Sequence, residues 1–298
     1  MNEVCAIVVT YNRKELLKEN IEALKSQTYK KLDILIVDNN STDGTYEYVK
    51  KYIDNQHVMY VNTEKNIGGS GGFYIGIKEC AKKKYKYIWL MDDDTIPNAD
   101  ALESLMRKKE LLKDEFSFIG SVAMFNEEEL CKMNVPPVAD NWLEKYKYVE
   151  KGLVNIGFCS FVSCLINVKV VKKVGLPIKE FFIYADDVEY TTRLSKILPG
   201  YMDTNSLVMH KMKQNTNTNI IYVEKERIDR AFYTYRNMFF IAKKENAREI
   251  LKHILRYVYY FFMIIFKAPN HRFKRLKAIT KGFFAGIFFN PKIEKFEE

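Results

Sequence analysis

The chain has 298 residues, 47% of them hydrophobic, which allows one large core or a domain with an appendage. Its five cysteines (Cys5, Cys80, Cys131, Cys159, Cys164) are odd in number and form no CxxC pair, which argues against a disulfide framework and for a reducing compartment where each thiol is a small buried hydrophobe. The net charge of +9 is concentrated at the end: residues 251–298 hold ten Lys/Arg against three Glu, leaving +2 for the first 250, so the basic tail and not the core calls for a surface partner, membrane or nucleic acid.

Met1-Asn2-Glu3 leads straight into an apolar strand over residues 4–10, with no signal peptide in view. Asn12, with Glu15 three residues on, has the spacing of a capping box, and Leu17, Ile21 and Leu24 predict a helix to about residue 27. A second strand over 32–37 ends in the dense turn Asp38-Asn39-Asn40-Ser41-Thr42-Asp43-Gly44. A short helix over 45–52 and a strand over 58–61 follow. Residues 66–76 carry five glycines and open a helix to about residue 84. Glycines allow close backbone approach and a helix N-terminus favours an anion, but the spacing is not that of a P-loop, and a tight turn with close helix–sheet packing explains it as well.

Tyr87-Ile88-Trp89-Leu90-Met91 then runs into Asp92-Asp93-Asp94. Three adjacent carboxylates repel one another, and half-burying them uncompensated costs several kcal/mol or forces protonation. A divalent cation with a phosphate-bearing substrate relieves this, at the strand end where open α/β sheets bind ligands. A solvated turn capping the next helix is the plainer account. The alternation of strands and helices predicts a mostly parallel sheet covered on both faces.

Residues 116–121 read as a further strand and 126–151 as mixed. After an apolar stretch over 158–171, Tyr184-Ala185-Asp186-Asp187-Val188-Glu189-Tyr190 sets a second acidic cluster at a helix start, favoured there by the dipole alone or serving as general base and orienting carboxylate. A strand over 207–211 carries His210, one of four histidines. The polar stretch 211–219 has the look of a mobile lid. A helix over 230–244 contains Tyr235-Arg236-Asn237. In the tail, the longest uninterrupted apolar run, residues 257–266, is ten residues against the ~20 needed to span a bilayer. Basic and apolar residues then alternate, as in helices lying on an anionic membrane.

Taken together, Val8-Val9-Thr10-Tyr11-Asn12-Arg13, Val37-Asp38-Asn39-Asn40-Ser41-Thr42-Asp43-Gly44 and Asp92-Asp93-Asp94 resemble the first strand, the second strand and the DxD motif of the inverting family 2 glycosyltransferases, over about residues 4–210. The Asn66–Phe73 loop, the second acidic cluster, His210-Lys211 and Tyr235-Arg236-Asn237 are most similar to bacterial galactofuranosyltransferases and rhamnosyltransferases of surface polysaccharides. Those galactofuranosyltransferases usually carry Trp before the paired acids, where this chain has Ala185 preceded by Tyr184, which leaves the sugars open.

The resemblance implies a GT-A fold over residues 1–220, a Rossmann-like mostly parallel sheet with helices on both faces, and a helical membrane-associating region over 221–298. It implies a nucleotide-sugar site from Thr10, Tyr11, Arg13, Asp38, Asn66, Gly69, Asp92 and Asp93, and Mn²⁺ or Mg²⁺ held by Asp92, Asp94 and His210. It further implies Asp187 as base with Asp186 beside it, and Asp186 and Glu189 at the acceptor. The expected partners are a UDP-galactofuranose or dTDP-rhamnose donor, a lipid-linked or polysaccharide acceptor and the cytoplasmic face of the membrane; nucleic acid is not expected and homo-oligomerisation is left open. The rivals are a sugar nucleotidyltransferase, disfavoured because Thr10-Tyr11-Asn12-Arg13 is no Gly-rich basic loop, and an inactive membrane-associated scaffold.

Overall fold

The computed structural model describes residues 2–83, 85–215 and 219–296. The first strand, β1 (Val4–Thr10), is apolar and buried throughout, so both its faces need cover. The strand–helix run α1 (Lys14–Lys25), β2 (Leu32–Asp38), α2 (Thr45–Val49), β3 (Val58–Asn62), α3 (Gly68–Lys82) and β4 (Tyr87–Asp92) supplies it. β1 pairs in parallel with β2 and β4, and β2 with β3. Because side chains alternate along a strand, Val4, Ala6 and Val8 enter one core layer with Leu17, Ile21 and Leu24 of α1. Cys5, Ile7 and Val9 enter the other with Phe73 and Ile77 of α3. A Cβ at Gly72 would lie 2.5 Å from Val9 Cγ1, so this glycine lets α3 press against the sheet. All five cysteines are buried and unpaired.

The second half is β5 (Thr95–Pro97), α4 (Ala101–Leu111), β6 (Phe118–Met124), α5 (Tyr146–Val149), β7 (Leu153–Ile156), β8 (Cys164–Asn167), α6 (Val168–Val174), α7 (Asp186–Ser195) and β9 (Gly200–His210). The sheet order is β3-β2-β1-β4-β8-β6-β9-β5, with β7 also on β9. β8 is antiparallel to β4 and β6, and β9 is parallel to β6 but antiparallel to β5 and β7, so the expected mostly parallel sheet is mixed in this half. The parallel register aligns Thr10 with Asp38 and Val9 with Asp92, bringing three strand ends to one edge.

The capping box is not formed. α1 begins at Lys14 behind Arg13, and Asn12 sits in left-handed backbone at φ 52°. Its side chain accepts from the Thr42 N–H at 2.7 Å, and the first helical N–H, on Lys14, goes to Asp43 Oδ2 at 2.9 Å. Asn12 ties together the turns after β1 and β2, and Asp43 takes over at the helix start. Of the polar stretch 211–219, residues Thr216, Asn217 and Thr218 lie outside the described residues, while Asn215 donates to Glu129 and to the Leu130 carbonyl.

The chain ends in α8 (Ala231–Glu245), α9 (Ala247–Lys267) and α10 (Arg272–Phe288). Their core includes Ile228, Tyr235, Ile264 and Ile279. Arg275, 1% exposed, donates to the carbonyls of Ile220, Val223 and Asn270. The segment after α10 returns to the sheet: Phe289 and Ile293 pack with Ile178, Phe181 and Phe240, and Glu294 meets Tyr74 and Lys78. Among the described residues no helix is long and apolar enough to cross a membrane.

Candidate active site

The first acidic cluster stands where β1, β2 and β4 end together. Thr10 Oγ1 donates to Asp93 Oδ2 at 2.8 Å. Arg13, turned inward by the left-handed Asn12, donates to Asp93 Oδ1 at 3.2 Å and to Asp94 Oδ2. Burial pushes Asp93 up to about 6 against the pull of Arg13. Burial, with Asp94 and Asp93 alongside, raises Asp92 well above the ordinary carboxylate range. Asp94 moves the other way: burial opposes ionisation, but His210 and Arg13 outweigh it.

His210 reaches this cluster because β9 pairs Thr95 with His210, so the histidine ends beside the residue that follows Asp94. Its Nε2 lies 3.3 Å from Asp94 Oδ1, a buried oxygen that makes no aligned hydrogen bond. Its Nδ1 lies 2.9 Å from the Asn134 amide oxygen, which only accepts, so Nδ1 carries a proton. Cys131 Sγ sits 3.5 Å from the same nitrogen. Burial opposes charge on the imidazole, yet Asp94, Cys131 and Asp92 together hold its pKa up to about 10.

These donors fit a hard divalent cation. Neighbouring ligands of one ion with ~2.1 Å bonds stand ~3 Å apart, close to the spacing of Asp94 Oδ1 and Nε2. With Nδ1 turned to Asn134, Nε2 would be the nitrogen to take a metal, and would give up its proton to do so. Among the described residues no three His, Cys, Asp or Glu side chains are already gathered into a shell, since Asp93 and one oxygen of Asp94 are turned to Arg13.

The second acidic cluster opens α7. Phe182, Tyr184 and Ala185 all have left-handed backbone, at φ 65°, 67° and 65°. An aromatic residue there is strained and persists only where its surroundings enforce it. The enforcement is visible. Asn237 of α8, fully buried, has its amide nitrogen 3.1, 3.1 and 2.8 Å from the carbonyls of Phe181, Ile183 and Tyr184. Arg236 donates to the carbonyls of Glu180 and Phe181 while stacked on Phe289. On the other side the Ser70 N–H donates to the Phe182 carbonyl at 3.2 Å. A Cβ on Gly68, whose φ is +76°, would overlap that carbonyl at 2.0 Å.

Asp187 is pushed up to about 7 by burial and by Asp186, whose own carboxyl is also raised by burial. Ser70, buried and without an aligned partner for its hydroxyl, faces Asp186. Asp187 also stands by Cys164, whose strand partner on β4 is Leu90, two residues before Asp92. The second cluster thus neighbours β8, the strand beside β4, which carries Asp92. Glu189 forms a two-pronged pair with Arg193 at 2.8 and 3.0 Å, and Arg193 also donates to the Val174 and Leu176 carbonyls.

The other expected residues are spread along the same edge. Asp38, fully buried, accepts from Tyr60 Oη at 2.7 Å and from the Ser41 N–H at 2.8 Å. Asn66 Oδ1 accepts from the Gly68 N–H at 2.9 Å, and the Gly68 carbonyl accepts from Asn39. Gly69 has open space where a side chain would be, and Tyr11 is 43% exposed. Tyr60, Ser70, Asn134, Cys131, Arg236 and Asn237 are contributors that sequence reading did not assign to the site. Ser70 carried a signal within the glycine-rich loop, and Arg236 and Asn237 within Tyr235-Arg236-Asn237.

A doubly covered α/β sheet with acids gathered past the carboxyl ends of its parallel strands is the architecture of nucleotide-binding α/β enzymes. The chain belongs to the family described as Glycosyl transferase family 2, whose pattern matches residues 5–175, more than half of it. It is 27% identical over 286 residues to galactofuranosyltransferase GlfT1 of Mycolicibacterium smegmatis, covering 87% of this chain and 90% of that protein. It is 22% identical to GlfT1 of Mycobacterium tuberculosis, with 90% and 91% covered. In fold it is similar to mannosyltransferase PcManGT of Pyrobaculum calidifontis, solved with GDP-Man and Mn²⁺, at TM-score 0.57 and 15% identity, covering 97% of this chain and 76% of that one. It is also similar to S. aureus TarS, at TM-score 0.57 and 15% identity over 96% of this chain, although it spans only 43% of that one. The GT-A resemblance is thereby borne out.

Proposed function

We propose that this enzyme transfers a glycosyl group, with inversion, from a nucleotide-diphosphate donor to a hydroxyl of a lipid-linked or polysaccharide acceptor in bacterial surface glycan synthesis. UDP-galactofuranose and dTDP-rhamnose are the donors favoured by the resemblance, and the galactofuranosyltransferase relatives favour the first. The observation that carries the reading is the placing of the acids: Asp94 with His210 past the strand ends, and Asp186 and Asp187 in the first turn of α7, where burial and Asp186 push Asp187 up to about 7. A general base works best with its pKa near the working pH.

In this scheme Asp38 accepts from the base of the nucleotide, with Thr10, Tyr11 and Arg13 nearby, and the Asn66–Gly69 turn lets backbone approach it. Asp92 and Asp93 face the ribose and diphosphate. Asp92, Asp94 and His210 would hold Mn²⁺ or Mg²⁺, which neutralises charge on the departing diphosphate. Asp187 takes the proton from the acceptor hydroxyl as its oxygen attacks the anomeric carbon and the bond to the diphosphate oxygen breaks. Asp186 orients the acceptor, and Glu189 supports that end of α7 through Arg193.

A screen of UDP- and dTDP-sugars, read by released nucleotide diphosphate, tests the reaction. Pyrophosphate release from a nucleoside triphosphate would instead support a nucleotidyltransferase, and no turnover with any donor would support a scaffold. Asp94→Ala should abolish metal-dependent binding of UDP. Unchanged calorimetric affinity in that variant, with and without EDTA, rules out the metal assignment.

On this proposal residues 221–298 also hold the enzyme on the cytoplasmic leaflet. Leu251, Leu255, Val258, Tyr259, Phe262 and Phe266 are all exposed and follow one another at helical spacing along α9. Phe273 and Phe288 of α10 are 80% and 85% exposed. Lys and Arg near an anionic surface contribute ~1 kcal/mol each. Removing everything after Glu249 would also remove Arg275, Phe289 and Glu294, which pack or bond elsewhere in the protein, so point changes are the cleaner test. Leu255→Glu with Phe262→Glu should leave the protein in the supernatant when anionic liposomes are sedimented, while the wild type co-sediments and is released by salt. Equal recovery of both, or a change only in oligomeric mass, would indicate an interface between copies.

A further inference from the structure

A cavity of about 290 Å³ lies between α8, α9 and the segment 220–227, separate from the strand-end acids. Its walls are apolar and aromatic, from Ile220, Val223, Met238 and Tyr260, with Arg227 and Arg256 among them and no carboxylate. Among the described residues neither guanidinium has an ion pair or a side-chain hydrogen bond, so both are free to meet an anion from outside the chain. His253, 6% exposed, also lines the cavity, and its Nε2 has no hydrogen-bond partner. Burial and the neighbouring Arg256 hold its pKa down to about 4, so the ring is neutral and the positive charge here belongs to the arginines.

The cavity touches the catalytic region at one point. Tyr184 is part of its wall, two residues before Asp186, and belongs to the strained segment that Asn237 holds. On its other side, α9 gives His253, Arg256 and Tyr260 to the cavity while Leu255, Tyr259 and Phe262 on the adjoining face are exposed. The exposed apolar face of α9 thus adjoins the face that carries Arg256, and the pocket it lines includes Tyr184 of the loop that presents Asp187.

We infer that this cavity is the subsite for a phosphate or diphosphate ester carried on an aliphatic chain, the anchor of the acceptor. The two guanidiniums grip the phosphate oxygens, and the chain leaves over the exposed face of α9. Arginine suits phosphate because its planar fork meets two oxygens at once. The inference rests on the proposal that the acceptor is lipid-linked, and it explains how a sugar at the end of such an anchor is set against Asp187.

The test is equilibrium binding of farnesyl diphosphate to the full-length protein, with UDP and Mn²⁺ at saturation to block the donor site. Farnesol and inorganic pyrophosphate are the comparison ligands. Farnesyl diphosphate should bind more tightly than either. Arg227→Gln with Arg256→Gln should weaken it by about tenfold to a hundredfold, from the loss of charge-assisted hydrogen bonds. Both arginines are exposed, so the fold and UDP affinity should be unchanged. Equal affinity in wild type and double variant overturns the inference, and so does inorganic pyrophosphate binding as tightly as the ester, which would mark a site for free anions. Because no sugar transfer is read, a failed donor screen leaves this result standing, and a failed binding assay leaves the glycosyltransferase proposal standing.

Discussion

Asp187→Asn should lower kcat by ~10²–10⁴-fold, the usual contribution of a general base, while leaving UDP affinity unchanged. The amide keeps the size of the side chain but cannot take a proton. The wild-type rate should follow the same group. Asp187 must be ionised to work, and burial together with Asp186 raises it to about 7. Turnover should therefore climb as pH rises through about 7 and then level, with the pair and not one residue setting the apparent midpoint.

Stability should run the opposite way. Below the ordinary Asp value of 3.8 both folded and unfolded chains hold the proton, and the raised carboxyl has no cost. Between 3.8 and about 7 the unfolded chain releases its proton while the folded one retains it, so stability falls as pH rises through that window. Asp187→Asn removes the penalty. The variant should melt above the wild type at pH 8 and together with it at pH 4. If it transfers sugar at the wild-type rate while Asp186→Asn does not, the two roles are exchanged.

The parallel half of this fold was legible because each strand there is a continuous apolar run ended by polar turn residues, as in Val4-Cys5-Ala6-Ile7-Val8-Val9-Thr10. The mixed half was not. β8 has four residues and β9 changes partners along its length, with a register shift opposite Ser121 and Val122. Nothing local in a sequence encodes such a pairing. The site shows the same division. Acids at strand ends and helix starts can be read one element at a time. Asn134 and Cys131 act only because the chain returns 76 and 79 residues later with His210. The apparent capping box failed for a related reason: Asn12 had a competing partner at Thr42, 30 residues away, that sequence spacing did not reveal.

Asn237→Ala should lower kcat by ~10²-fold or more, since a shift of about 1 Å in a reacting group is enough for that loss. Asn237 touches no acid. It lies 53–56 residues from the carbonyls of Phe181, Ile183 and Tyr184, the segment that turns through three left-handed residues into Asp186 and Asp187. Without its amide the Ile183 and Tyr184 carbonyls lose this donor, while Phe181 keeps Arg236, and a buried carbonyl left unpaired costs about 1–3 kcal/mol. The segment can recover by relaxing its backbone, which moves the start of α7. Asn237→Asp is the sharper variant, because it keeps the volume but replaces the donor with oxygens that repel the carbonyls. Both variants should bind UDP as the wild type does, because Thr10, Asp38 and Asp92 belong to β1, β2 and β4. Asn237→Gln, one methylene longer with the same donor, should recover part of the rate. A residue that merely stabilised the fold would lower the melting temperature of all three variants without a selective loss of kcat. Wild-type kcat in folded Asn237→Asp would show that the acid-bearing loop holds its own shape, and that α8 is not what aims Asp187.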